Sequence, residues 1–507
     1  MASVNRTKKS AINTSVSILF AVVNSILTFV LNAAFIRLLG LEYAGINNLF
    51  SSVLNLLNIA DLGISNAILF RLYKKIADGD QEGIDLIITT YKRICFMVAG
   101  VICIGGICCI PFLDHLVKEP PSFPEPLWSL FIIVLANSVV AHALNFTNQM
   151  ITARQEQYIK TIIMYCCKFA MTGLQLLLLF LYKNIYIFLL IALLLTIIRN
   201  VCYAIIVKKR YNVNWNSRRH LDKAEKISLL KDTGSLAFYK ICRTLDVTID
   251  TFLISKFVAI ATTAIYGSFN LLITFLEECF GNINDGMMAS IGDLNAQGSK
   301  KQVSNVFYQS MHLTFLIFGC LTLILVPLIS PFVKWWIGYT LPEMCIYVIL
   351  LNFFMAMFGN HVAVFRNSLG IFKKGWKRPF FTALLNIVFS VWLTIKFGLI
   401  GTLFGTTLAR FFTLHWYDPW IVCKYGFDEK PIKYYFRFVL YIFIIFVSST
   451  ILLYTKNLLP NPKDFFDFLW QGTFYLIAAI VVTFGIGFLF PEQKPLLSRI
   501  TKLIKSH

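Results

Sequence analysis

The segment Lys208–Asp232, KKRYNVNWNSRRHLDKAEKISLLKD, holds eight lysines and arginines between two long apolar runs. Before it, IYIFLLIALLLTIIRNVCYAIIV (residues 185–207) carries a single charge, Arg199. After it, TGSLAFYKICRTLDVTIDTFLIS (residues 233–255) is again long enough to cross a bilayer, which takes about 20 residues of helix. Basic residues beside such runs are retained on the cytoplasmic face. The segment therefore reads as a cytoplasmic linker dividing two bundles of membrane helices, and its basic residues suit anionic lipid headgroups.

Composition agrees. Of 507 residues, 57% are hydrophobic and only 14% charged, and mean hydropathy is +0.69. A soluble chain of this length would have about a quarter of its residues charged. A soluble multidomain enzyme is excluded, and the net charge of +20 is a question of sidedness rather than of nucleic acid. The twelve cysteines lie in or beside apolar runs with no C-x-x-C pair, so they read as packing residues, and no metal or cofactor is expected. The first apolar run, Ser10–Ile36, is too long for a signal-peptide core and is expected to stay as the first span.

Fourteen candidate spans follow, at roughly 12–36, 44–70, 94–113, 127–152, 161–182, 185–207, 233–255, 257–280, 306–330, 344–365, 379–395, 398–417, 434–454 and 468–490. Their length and lack of strict alternation predict helices, so the fold class is an all-α polytopic membrane protein. With both termini in the cytoplasm, the inner connections carry 33 of the 46 lysines and arginines and the outer ones 8. An extra or missing helix would scramble that alternation. The expected domains are a six-helix lobe at 1–207, the linker at 208–232, a second six-helix lobe at 233–423, and two additional helices with a tail at 424–507. A loose echo of residues 35–50 in residues 253–269 supports parallel repeats.

Polar residues form stripes within the spans. Asn47, Asn48, Ser51, Asn55, Asn58, Asp61, Ser65 and Asn66 share an arc of about 140° on the second. Ser138, His142, Asn145, Gln149 and Thr152 share about 80° on the fourth. Asn13, Ser17, Asn24, Thr28 and Asn32 behave similarly on the first. Single buried amides commonly hold helices together; three coherent stripes point instead to a wet cavity suited to hydroxyl-rich ligands. On the seventh span Lys240, Arg243, Asp246 and Asp250 lie within about 120° of one face. Charge at bilayer depth is costly unless it is paired or faces water. Two readings stay open. One is a structural ladder pairing Lys240 or Arg243 with Asp246, and Arg243 with Asp250. The other is a cationic contact for an anionic headgroup with acids that take up a coupling ion. Lys168, Arg199 and Arg410 are close enough to the inner face to snorkel. His142, His312, His361 and His415 either relay protons or are satisfied packing residues. No Walker A, dinucleotide, H-E-x-x-H or G-x-S-x-G pattern occurs. Ion-driven transport fits better than catalysis, so an enzyme is not expected.

The stretch Phe35-Ile36-Arg37-Leu38-Leu39-Gly40-Leu41-Glu42-Tyr43-Ala44-Gly45-Ile46, continuing through Ala60-Asp61-Leu62-Gly63-Ile64-Ser65-Asn66-Ala67, resembles the polysaccharide flippases of the multidrug/oligosaccharidyl-lipid/polysaccharide exporter superfamily. That family typically reads R-x-L-G-x-x-x-Y-G-I and then A-D-L-G-[ILF]-x-x-A; here Ala44 separates Tyr43 from Gly45. The resemblance implies two lobes in a V around a central cavity, in the bacterial inner membrane. It implies alternating access, coupled to H+ or Na+, that carries an undecaprenyl-pyrophosphate-linked oligosaccharide to the outer leaflet for O-antigen, capsule or lipopolysaccharide assembly. Polymerase and glycosyltransferases are the implied protein partners. On that reading Lys240 and Arg243, with Arg37, Lys168, Arg199 and Arg410, meet the pyrophosphate and sugar. Asn47, Asn55, Asn58, His142, Asn145 and Gln149 line the sugar path, and Asp61, Asp246 and Asp250 are the coupling acids. The alternatives are a multidrug/cation antiporter of the same fold, which would want an acidic cavity, and a non-transporting scaffold for polysaccharide assembly.

Overall fold

Runs of apolar residues with scattered turn formers give helix after helix. A computed structural model describes residues 2–58, 64–217, 223–458, 465–496 and 498, and no strand occurs among them. The chain packs as two compact units, Met1–Ala264 and Ile265–His507.

Unit 1 opens with α1 (Ala2–Leu39) and α2 (Leu41–Leu57), then α3 (Ile64–Ala77) and α4 (Gln81–Cys109). Next come α5 (Leu127–Ala143), α6 (Phe146–Ala153), α7 (Gln157–Tyr182), α8 (Ile185–Tyr211) and α9 (Lys223–Leu253). Gly40 turns the chain between α1 and α2 at φ 104, a conformation that side chains with a Cβ rarely adopt. Asp80 opens α4 by accepting from the Gly83 amide at 2.8 Å, and Asn184 opens α8 by accepting from the amides of Tyr186 and Ile187. α9, which follows the basic linker in sequence, packs on α2 and α3 within this unit. Residues 218–222 of the linker lie outside the described residues.

α10 (Ile260–Gln297) leads into unit 2, followed by α11 (Lys300–Thr314), α12 (Cys320–Ile337), α13 (Glu343–Ser368), α14 (Arg378–Phe397) and α15 (Leu399–Ile421). α16 (Ile432–Leu458) and α17 (Phe465–Gly487) complete it. Its core is aromatic: Phe307, Phe315, Phe358, Tyr434 and Tyr441 are buried together, with Phe315 stacked on Tyr441 at 4.2 Å. α14 and α15 pack tightly. A Cβ on Gly405 would stand 2.5 Å from the Ser390 Cα, so small residues set the spacing. Across that seam Thr406 donates to Asn386 Oδ1 at 3.0 Å, an oxygen that also accepts from Ser390 of its own helix at 2.7 Å, and Thr394 and Thr402 hydroxyls meet at 2.8 Å.

Ten helices among the described residues are long and apolar enough to cross a bilayer, and eleven if α5 and α6, bent by 41°, count as one span. The other three of the fourteen predicted spans are the second, seventh and twelfth. They coincide with α2–α3, α9 and α15, helices that carry more polar side chains or end early. The all-α polytopic class holds.

Candidate functional site

Two of the polar-striped spans do not run on as single helices. The second ends as α2 at Leu57 with Asn58 as its cap, where a single helix was expected to run through to residue 70. The fourth bends at Leu144–Asn145, between α5 and α6. The bend has a local chemical cause. His142 Nδ1 lies 2.8 Å from the Ser138 carbonyl oxygen, the Thr147 hydroxyl donates to the Leu144 carbonyl, and Asn148 Nδ2 donates to Asn145 Oδ1 at 2.7 Å. Side chains thus compete for the backbone groups that a straight helix would use internally.

The two stripes meet. Ser138 donates to Asn58 Oδ1 at 3.0 Å, tying α5 to the cap of α2, and Asn200 on α8 donates to the Val140 carbonyl at 3.2 Å. Asn58, Ser138, His142 and Asn145 therefore sit in one polar neighbourhood of unit 1. Asn47 and Asn48 belong to the same stripe, but Asn48 Nδ2 is turned toward the Thr263 carbonyl at 3.2 Å and Ser51 donates to the Asn47 carbonyl at 2.8 Å. Asn55 is exposed, and Gln149 is half-buried on α6. Asp61 lies outside the described residues, as do the side chains of Asn13, Ser17 and Asn66.

On α9 the four charges separate by burial. Lys240 and Arg243 are exposed, Asp246 is half-buried, and Asp250 is only 6% exposed. Among the described residues no ion pair joins Lys240 or Arg243 to Asp246 or Asp250. Lys240 and Arg243 thus present their charges at the surface of α9. Arg37 is exposed at the end of α1, Lys168 is half-buried on α7, Arg199 is half-buried on α8 within electrostatic reach of Lys160, and Arg410 is half-buried on α15 in unit 2.

Unit 2 contributes a buried ion cluster that the sequence did not single out, and it holds three of the histidines that the sequence did. Asp418, fully buried, receives a hydrogen bond from Arg366 Nη1 at 2.7 Å and faces Arg378 Nε at 3.2 Å. His415, one turn earlier on α15, stacks on Phe438 at 4.7 Å. His312 bridges Tyr441 OH at 3.0 Å and Gln493 Oε1 at 2.6 Å, while Arg437 pairs with Glu492 at 2.7 Å. His361 meets the Ser310 hydroxyl at 2.9 Å. Three of the four singled-out histidines are thus engaged in unit 2 packing. A cavity of about 990 Å³ runs between α12, α13, α14, α15 and α16, walled by side chains such as Leu351, Phe354, Phe404, Phe443 and Leu453. Among the described residues no cluster of ligating side chains could hold a metal.

Comparison with known proteins now has a geometry to stand beside. A family model described as polysaccharide biosynthesis protein matches residues 10–284, more than half of the chain. The chain belongs to that polysaccharide biosynthesis protein family, in keeping with the resemblance carried by the stretch from Phe35 to Ala67. Among solved structures, the lipid II flippase MurJ in an inward closed conformation aligns over 92% of this chain and 98% of its own, at 13% identity and a TM-score of 0.66. An inward-facing multidrug resistance MATE family transporter covers 79% of this chain and 94% of its own, at 15% identity and 0.63. A mutant of the Vibrio cholerae MATE transporter VcmN covers 84% and 99%, at 15% identity and 0.54. At these identities the likeness is one of fold. No curated protein matches the chain. The family is one of polysaccharide biosynthesis, and the fold is that of multi-pass membrane proteins, shared with MATE transporters and a lipid II flippase.

Proposed function

We propose that the protein is a flippase that moves an undecaprenyl-pyrophosphate-linked oligosaccharide repeat unit across the bacterial inner membrane, by alternating access coupled to H+ or Na+, for a surface polysaccharide. The observation that carries this reading is the bent α5–α6 pair joined through Ser138 to Asn58 at the end of α2. Irregular backbone at membrane depth is tolerated where it is packed in protein or lines a water-filled cavity. The amide and hydroxyl groups gathered there are the donors and acceptors that sugar hydroxyls require. The exposed Lys240 and Arg243 of the same unit supply charge for the pyrophosphate, Arg through its planar two-pronged donor. Arg37, Lys168, Arg199 and Arg410 complete the proposed basic set; Asp61, Asp246 and Asp250 are the proposed coupling acids. The apolar cavity of unit 2 has the volume and walls for part of a long polyprenyl tail.

The same proposal includes the division into lobes at 1–207 and 233–423, the linker at 208–232 and an additional helix pair at 424–507, with both termini cytoplasmic. Polymerase and glycosyltransferases are its proposed neighbours. A clean deletion tests it in cells. Lipid-linked repeat units should accumulate with their sugars facing the cytoplasm and surface polysaccharide should be lost. Unchanged surface polysaccharide would defeat the proposal, and a rise in drug sensitivity alone would favour the antiporter.

A further inference from the structure

The apolar cavity of unit 2 ends in a polar clasp. Met344 and Tyr347 on α13 and Leu453 on α16 line one end of it. Glu343, the residue before Met344, accepts from Lys456 Nζ at 3.1 Å through Oε1 and from the Tyr347 hydroxyl at 3.1 Å through Oε2. Lys456 lies one turn beyond Leu453 on α16, so the pair bridges the two helices that flank the cavity mouth. Beyond Tyr347 the wall is hydrocarbon apart from the hydroxyls of Thr322, Ser449 and Thr450, and those of Thr322 and Thr450 donate to backbone carbonyls one turn earlier, at 2.7 and 2.9 Å. A slot with such walls and, at its mouth, a lysine held by a displaceable carboxylate suits an amphiphile with a long chain and an anionic head that takes the place of the carboxylate.

We infer that the cavity and the clasp together form a binding site for a polyprenyl phosphate, with the chain in the cavity and the phosphate on Lys456 and Tyr347 in place of Glu343. This rests on the proposed function, since a flippase for polyprenyl-linked sugars must hold such a lipid. The exchange is physically cheap. The Glu343 side chain is 61% exposed, so its pair with Lys456 is weakly held, and leaving it returns the carboxylate to water. A phosphate brings up to two charges and three acceptor oxygens to the same donors. On the orientation expected from the charge count this mouth faces outward, which makes it a station for the lipid after transfer rather than before it.

The test is equilibrium binding of undecaprenyl phosphate to the full chain in phosphatidylcholine nanodiscs, with undecaprenol as the uncharged control and phosphatidylglycerol as competitor. The wild type should prefer the phosphate by about tenfold or more, the size of a charge-assisted hydrogen bond. Lys456→Ala should erase that preference without changing undecaprenol binding, Lys456→Arg should keep it, and Glu343→Gln should increase it. A preference that survives in Lys456→Ala overturns the clasp, as does complete displacement by equimolar phosphatidylglycerol. Ser449→Phe, which intrudes a ring into the cavity from its wall, should weaken both polyprenyl ligands alike. If it weakens neither, the tail site of the proposed function fails, a result distinct from loss of the head contact alone.

Discussion

Asp418 is one carboxylate between two guanidinium groups, 0% exposed, on the last turn of α15. It links Arg366 at the end of α13 to Arg378 at the start of α14. Breaking a buried pair by removing one partner costs about 3–5 kcal/mol, because the remaining charge is left uncompensated. Asp418→Ala should therefore lower the thermal unfolding temperature of the purified protein sharply, with two arginines stranded, whereas Arg366→Met with Asp418→Leu together should be milder. Equal losses for the single and the double variant would argue that the cluster is incidental. Asp80 works at the other extreme of exposure. Lys75 at 2.7 Å and the Gly83 amide hold its carboxyl below the usual carboxylate range. A group whose folded pKa is depressed gives stability that is present above its unfolded pKa and lost as pH falls through the folded one. The protection of the Gly83 amide against exchange, relative to the unstructured rate at the same pH, should thus fall on acidification below about pH 4, and Asp80→Ala should remove that pH dependence of protection. The two arginines of the Asp418 cluster were visible in sequence only as topological charges, because residues 366, 378 and 418 share no spacing that points to one another.

At the scale of elements, the bend between α5 and α6 is the feature on which the proposed function rests. Ser138→Ala removes the donor to Asn58, and Asn58→Ala removes its acceptor. Each variant should lose about 1 kcal/mol of stability at most, in line with measured interhelical hydrogen bonds in membranes, yet substrate transport should fall well beyond that share. Double-mutant coupling in flipping rate, with folding intact, is the readout; independent effects would uncouple the two helices. The stripe behind this site was legible: Ser138, His142 and Asn145 at helical spacing identified the face. The bend was not, because it depends on which backbone carbonyl each side chain reaches, and Thr147, whose hydroxyl caps the Leu144 carbonyl, drew no notice. The apolar cavity was equally hidden. Its walls are mostly apolar side chains drawn from five helices, and only the packing of those helices decides where a gap remains. On α9 the sequence isolated four charges and offered two arrangements; burial of Asp250 beside exposure of Lys240 and Arg243 is a tertiary fact.

For the whole molecule, the alternation of basic loops is the strongest statement the sequence makes, and it extends to segments outside the described residues. Single cysteines placed at Asn212 and at Lys118, in a background lacking the twelve native ones, should label from opposite sides of the membrane, Asn212 from the cytoplasm. Labelling of both from one side would break the fourteen-span count. The family match over residues 10–284 and a fold shared with MurJ and MATE transporters set the class of protein. What moves through it is decided by flux. Proteoliposomes carrying undecaprenyl-pyrophosphate-linked oligosaccharide in both leaflets, challenged with an external glycosidase, measure this directly. With the wild type, digestion should proceed to nearly all of the lipid. With Arg243→Ala it should stop at the outer-leaflet half, as it does in protein-free vesicles. Wild-type vesicles that also stop at half, in the presence of H+ and Na+ gradients, would contradict the account.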